Sequence, residues 1–358
     1  MRVIYSPAHL GHDVVTETVQ GLAIPANEVA ERAERIRHAL EADGGFAIEP
    51  PTEHGNDPIL AVHAPGLVRF IDAAWPSARA QALDRPNLIA DTFPTFRMFE
   101  GMSAEFVASR AETRNAAGRA GWWGLDTANP LVAGTAHAAH AAVDVALTTV
   151  DLVLGGERVA YGLCRPPGHH AGRSMAGGYC FFNNAAIAAE AIARQTGERV
   201  AILDVDYHHG NGTQQIFWSR GDVLYVSLHA DPDRAYPYFT GFADERGAGA
   251  GAGATLNLAL DAGCDDNKFL DTLTHAVDVV DRFEPDLVVV SLGVDTYGGD
   301  PLGDLAVTDD AYHPAGLAVA AIDRPLVVVQ EGGYAVGAMG GLVRSFLRGA
   351  ARLPVNLR

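Results

Sequence analysis

Cysteine is scarce and poorly placed for cross-linking. The 358 residues hold three, Cys164, Cys180 and Cys264, an odd number, widely spaced and without a C-x-x-C pair. Neither a disulfide framework nor a thiolate zinc site is expected, and buried free thiols are. Long apolar runs are missing too. No stretch approaches the roughly 18 to 20 residues that span a bilayer, and the N-terminal residues enter a strand-like segment without the apolar core of a signal peptide, so a cytoplasmic protein off the membrane is expected. Positive charge is short as well: 26 Lys+Arg against 44 Asp+Glu leave a net charge of −18. That balance opposes nucleic-acid phosphates and favours cationic ligands, although it also serves solubility. No internal repeat or linker divides the chain, and with 48% hydrophobic residues it has the composition for one large core, so a single domain over residues 1–358 is expected.

What is present alternates. Apolar, β-rich runs at 3–5, 159–163, 200–203, 223–228, 287–292 and 326–329 are separated by helical patterns at about 27–42, 184–195, 214, 266–283, 310–322 and 337–348. Strands apolar on both faces, spaced by helices, predict one open, mostly parallel sheet flanked by helices on both faces. Ligands of such sheets bind beyond the carboxyl ends of the strands. Two stretches break the rhythm. Residues from about 84 to 130 carry prolines, glycines and scattered aromatics, including Trp122 and Trp123, and read as a long functional insertion near the site. Residues 247–253 alternate Gly and Ala but match neither G-x-G-x-x-G nor G-x-x-x-x-G-K-[ST], so they read as a flexible loop on the active-site side.

The polar clusters fall at strand ends. Asp204, Asp206 and His208 alternate directly after the run 200–203, which places them on one face. Two carboxylates and an imidazole ending a buried strand are costly without a cation or matched hydrogen bonds. A third ligand must come from another strand, and Asp295, after the run 287–292, is the best candidate, although a lone Asp there would serve equally as a helix cap. Asp206, His208 and Asp295 suit zinc, and also Fe(II) or Mn(II), because oxygen-rich ligation is less selective than thiolate. Arg165-Pro-Pro-Gly-His169-His170 offers two adjacent imidazoles on a stiff turn, suited to a general base and a general acid. Asp204 and Asn211 are the expected partners of their N–H groups, one charged and one neutral. Glu331-Gly-Gly-Tyr334 puts a phenol on a glycine hinge, aimed at a developing oxyanion.

Together RPPGHHA (165–171), GGYCFFNNAA (177–186), LDVDYHHGNGTQ (203–214), SLHADP (227–232), SLGVDTYGGDPLG (291–303) and EGGY (331–334) resemble the arginase-fold histone deacetylases, and most closely the bacterial acetylpolyamine amidohydrolases. The resemblance implies a divalent metal, usually zinc, on Asp206, His208 and Asp295. It implies His170 as the main general base and acid, His169 with Asp204 as electrostatic support, and Tyr334 polarising the acetyl carbonyl. Some members carry Asp where this chain has Asn211, so the partner of His170 is neutral here. Gly178, Tyr179 and Tyr236 would wall a narrow tunnel for an extended aliphatic chain. Structural potassium ions are implied near Asp204, Asp206, His208, Ser227 and Leu228, and near Phe217, Arg220 and Val223.

The resemblance of the insertion and of the AYPYFTG stretch (235–241) points to acetylated polyamines or related small cationic amines, and to a homodimer whose interface narrows the entrance. Asp91, Glu100, Glu105, Glu112 and Asp126 are candidate ammonium contacts. Acetyl-lysine in peptides or proteins is the runner-up substrate. An arginase-like ureohydrolase would need a second set of carboxylate ligands that His209 and the single Asp295 loop do not supply. A silent acetyl-amine binding module should lack a ligand or the tyrosine, and this chain lacks neither.

Overall fold

Strands with no solvent-facing side form the middle of the molecule. The computed structural model describes residues 1–82 and 85–353; Asp84, where the expected insertion begins, and the side chain of Glu112 lie outside the described residues. The strands are β1 (Arg2–Ile4), β2 (Thr16–Val19), β3 (Leu22–Pro25), β4 (Ala47–Glu49), β5 (Val159–Gly162), β6 (Val200–Asp204), β7 (Val223–Ala230), β8 (Thr255–Leu260), β9 (Leu287–Leu292) and β10 (Leu326–Gln330). The helices are α1 (Glu31–Asp43), α2 (Asp57–Val62), α3 (Pro65–Ala80), α4 (Ala104–Ala108), α5 (Ala116–Trp123), α6 (Thr135–Leu154), α7 (Asn184–Thr196), α8 (Asn211–Phe217), α9 (Asp266–Phe283), α10 (Tyr312–Ala320) and α11 (Val336–Ala350).

Eight strands form one sheet in the order β4-β1-β5-β10-β9-β6-β7-β8, every pairing parallel. Every residue of β6, β7, β9 and β10 is buried, because helices cover both faces. Alternate side chains divide between two cores. Leu203, Val226, Val290 and Val328 face α1, α9, α10 and α11, while Val200, Tyr225, Val289 and Val327 face α3, α6 and α7. Local chemistry sets the helix ends. Asn183 caps α7 by accepting from the Ala186 N–H, and left-handed Gly197 (φ 71°) closes it.

The expected strands and the helices around them are present. The sequence reading missed β8, the short edge strand β4, the two-stranded β2–β3 hairpin and helices α2 to α6. By length and its mean hydropathy of 1.2, α6 could cross a bilayer, yet it packs beside α7 on the same face of the sheet in the second core. Its interspersed His, Thr and Asp residues hid it from a search for unbroken apolar runs.

The Gly/Ala stretch at 247–253 corrects an expectation. It lies at the opposite edge of the sheet from the site, against the turn entering β7. The Ala248 N–H donates to Trp218 O at 2.9 Å, and the Tyr225 N–H donates to Ala254 O at 2.9 Å. A β7–β8 crossover must return to the amino-terminal edge before a parallel strand begins, and this stretch ends that return, held by its own backbone bonds.

Candidate active site

Neighbours β6 and β9 pair with Asp204 opposite Ser291, but the chain leaves them in opposite directions, β6 toward β7 and β9 toward β10. Such a divergence opens a crevice beyond the carboxyl ends. Asp206 and His208 extend β6 into it, and Asp295 follows β9. Each offers a ligand atom, and these atoms lie within 4.8 Å of one another. His208 Nδ1 is 3.1 Å from Asp295 Oδ2 and 3.4 Å from Asp206 Oδ1. Backbone donors fix the carboxylates: the Gly332 N–H to Asp206 Oδ2 at 2.7 Å and the Tyr207 N–H to Asp295 Oδ1 at 3.0 Å.

The cluster fits a divalent cation. Burial and the charge of Asp206 push the Asp295 carboxyl up to about 7. Burial acts on Asp206 too, but the charges of His169 and His208 outweigh it and hold that carboxyl low. Burial also disfavours charge on His208, yet its contacts with the two carboxylates push it up to about 9. Two buried carboxylates that repel each other are what a dication relieves. Glycines leave the room: an added Cβ at Gly332 would lie 2.4 Å from Asp295 Oδ2 and 2.5 Å from Asp206 Oδ2.

Beyond β5, the turn at 165–171 presents the two histidines, ring centroids 4.1 Å apart, in unlike surroundings. His169 Nδ1 lies 3.1 Å from Asp204 Oδ2, with Nε2 3.7 Å from Asp206 Oδ1. Burial opposes its charge, but the two aspartates raise its pKa well above the ordinary value. His170 Nδ1 lies 2.7 Å from Asn211 Oδ1; with that oxygen accepting, Nδ1 carries the proton and Nε2 keeps its lone pair. Burial, then the charges of His169 and His208, push the His170 pKa well below the ordinary value. Two carboxylates thus favour charge on one imidazole, while a neutral amide and cationic neighbours disfavour it on the other.

Tyr334 follows β10 on a hinge at Gly333 (φ 120°). Burial keeps its phenol protonated, with the Arg32 guanidinium 4.7 Å over the ring. Above the cluster, Tyr334, His170, His208, Gly178, Tyr179, Tyr236, Asp126 and Leu302 line a cavity of about 260 Å³, so the three expected tunnel residues converge with the expected catalytic ones. Of the acidic candidates in the insertion, Asp126 alone lines this cavity, while Asp91, Glu100 and Glu105 face solvent. The implied potassium residues are adjacent in two groups: Asp204 pairs with Ser227 across β6–β7, ahead of Leu228, and the Arg220 N–H donates to Phe217 O at 2.9 Å just before Val223. His209 turns away from the cluster, with Nδ1 3.1 Å from Thr240 Oγ1 and its ring 4.6 Å from that of His229.

Two supporting carboxylates were not assigned roles from the sequence. Glu331 Oε2 accepts from the Gly168 and His169 N–H groups at 2.6 and 3.1 Å, tying β10 to the histidine turn. Asp300 Oδ2 accepts from the Tyr334 and Ala335 N–H groups at 2.6 and 2.9 Å, holding the phenol's backbone at the start of α11. Both stand inside motifs that were quoted whole. The signal was an acid directly after, or within one turn of, a strand-end cluster.

A model of the histone deacetylase domain matches residues 26–350. An acetylpolyamine amidohydrolase of Mycoplana ramosa is 40% identical over 98% of this chain and 100% of its own length. One from Burkholderia pseudomallei is 39% identical over 99% of each chain. A crystal structure of acetylpolyamine aminohydrolase from Burkholderia pseudomallei superposes with a TM-score of 0.90 at 37% identity, covering 99% of each chain, and that of the HDA15 HD domain with 0.76 at 27%, covering 99% of this chain and 90% of that one. The fold is the arginase/deacetylase fold and the protein is a deacetylase-type amidohydrolase. Its family implies a metal cofactor, for which Asp206, His208 and Asp295 form the candidate site. With the family model spanning nearly the whole sheet and relatives matched end to end, the chain belongs to the histone deacetylase family.

Proposed function

We propose that the chain hydrolyses the N-acetyl amide of small cationic amines, acetylated polyamines foremost, releasing acetate and the free amine. The observation that carries this is the unequal histidine pair beside Tyr334 and the Asp206–His208–Asp295 cluster at the foot of a narrow aromatic cavity. A divalent ion held by those three residues, zinc by the family's habit and Fe(II) as the other candidate, would supply Lewis-acid polarisation and acidify water. His170 Nε2 takes the proton as water's oxygen bonds to the acetyl carbon. Cationic His169, with Asp204 behind it, offsets the negative charge that develops. Tyr334 donates its phenolic hydrogen bond to the carbonyl oxygen. When the C–N bond breaks, His170 returns its proton to the leaving nitrogen.

The cationic substrate is supported by Asp126, a carboxylate on the cavity wall whose three bonding partners are all neutral, and by the names of the relatives. Further parts of this reading are potassium ions at the two residue groups above, a cytoplasmic location and a homodimer. The homodimer is supported by Phe96, Met98, Met102 and Phe106, apolar side chains exposed together in the insertion. Measuring kcat/KM for acetylputrescine, acetylcadaverine, acetylspermidine and an acetyl-lysine peptide on one preparation tests the substrate. The small amines should lead by at least about tenfold; a leading peptide would transfer the activity to acetyl-lysine.

A further inference from the structure

As a cavity wall, Tyr236 needs only its ring. That ring stands edge-on to His170 with centroids 4.8 Å apart, a contact phenylalanine would make equally well. The hydroxyl has its own task, for it reaches from a half-buried ring to a carboxylate on the opposite wall. It donates to Asp126 Oδ2 at 2.6 Å. The same oxygen accepts the Gly178 N–H at 2.8 Å, while Oδ1 accepts the Ala128 N–H at 2.9 Å. One carboxylate oxygen therefore joins two cavity-lining segments that lie 52 and 110 residues away in sequence.

Both joined segments press on the same imidazole. Gly178 is left-handed (φ 54°), and a Cβ there would stand 2.3 Å from His170 Cδ2, so its backbone already lies against the ring. With Tyr236 on His170 as well, the separation between the two segments fixes the bore of the cavity just above the reacting centre. A directional hydrogen bond of 2.6 Å resists spreading more than ring contact does.

We infer that the Tyr236 hydroxyl and Asp126 form a latch that sets the bore, making Tyr236 and Asp126 specificity-determining residues that admit unbranched chains and reject branched ones. The latch rests on the deacetylase reading above, but it concerns shape, whereas the cationic preference concerns charge.

The test compares holoenzyme carrying Tyr236→Phe or Asp126→Asn with the unaltered protein. Tyr236→Phe removes the donor alone and leaves Asp126 with its two backbone partners. Two readouts are taken. The first is kcat/KM for a linear N-acetylalkylamine against its isomer branched beside the nitrogen. The second is calorimetric affinity for a linear against a branched alkyl hydroxamate, which needs no turnover. The latch predicts that Tyr236→Phe lowers the preference for the linear member by about tenfold in both. Asp126→Asn, which keeps an acceptor oxygen, should lie between. Preferences within about twofold of the unaltered protein in both readouts would overturn the latch, since that is less than one misfitted methylene costs. If the unaltered protein turns over no acetylated amine while the hydroxamate preference still collapses in Tyr236→Phe, the activity reading falls and the latch stands.

Discussion

The strand-end cluster and the insertion are opposites in how they treat their side chains. At the cluster, Asp204, Asp206, Asp295 and Glu331 are fully buried, and each has named bonding partners. In the stretch 85–130 the elements are short, and Phe96 is 82% and Phe106 47% exposed. The first region resembles a preorganised reaction centre, in which displacing one group disturbs several others. The second is built of short elements and leaves apolar side chains exposed to solvent. Asp126 and Trp123 mark where they meet: Trp123 packs into the second core and Asp126 reaches the cavity.

The contrast can be broken at its most sensitive point first. Tyr334→Phe should lower kcat by about 100- to 1000-fold with an unchanged unfolding midpoint, measured by steady-state kinetics and calorimetry; near-normal kcat would remove the phenol from the chemistry. Glu331→Gln is expected to cost about 10- to 100-fold in kcat with little change in KM, because it loosens the histidine turn without touching substrate. A rise in KM alone would relocate Glu331 to binding.

Three buried histidines outside the cluster, His12, His63 and His229, should weaken the fold in acid. Burial lowers His12, His63 and His229 to about 4 from an ordinary 6.5. Above pH 6.5 they are neutral in both states and cost nothing. Between 6.5 and 4 the unfolded chain takes up protons that the folded one refuses, so stability falls as pH falls, by up to about 3 kcal/mol for each. Urea titrations at pH 7 and pH 5 read this directly, and His63→Asn should flatten the difference. The smallest effect belongs to the insertion. Phe96→Ser with Met98→Ser should change unfolding free energy by less than about 0.5 kcal/mol at subunit dilution, yet shift sedimentation from dimer to monomer. A stability loss of several times that would show those side chains to be core.

The strongly periodic interior was legible: β6, β7, β9 and β10 announce themselves as continuous apolar runs, and Asp206, His208 and Asp295 follow two of them directly. What escaped carries weaker signals. β4 has three residues, and β8 alternates at a sheet edge with Leu256 and Leu258 only partly buried. α6 mixes polar residues into a buried surface. The Gly/Ala loop was placed on the wrong side because composition says nothing about which end of a crossover a loop closes. Glu331, Asp300 and the Tyr236–Asp126 bond were out of reach for a different reason: backbone donors and partners 110 residues apart leave no spacing to read.

The glycine beside the paired carboxylates sets how closely the chain can approach the cation cradle. A single methyl at position 332 would stand where it crowds both aspartates, whereas Tyr179 and Tyr236 line the channel from other segments of the chain. Gly332→Ala should therefore weaken metal binding at the cluster before it alters the walls those segments supply.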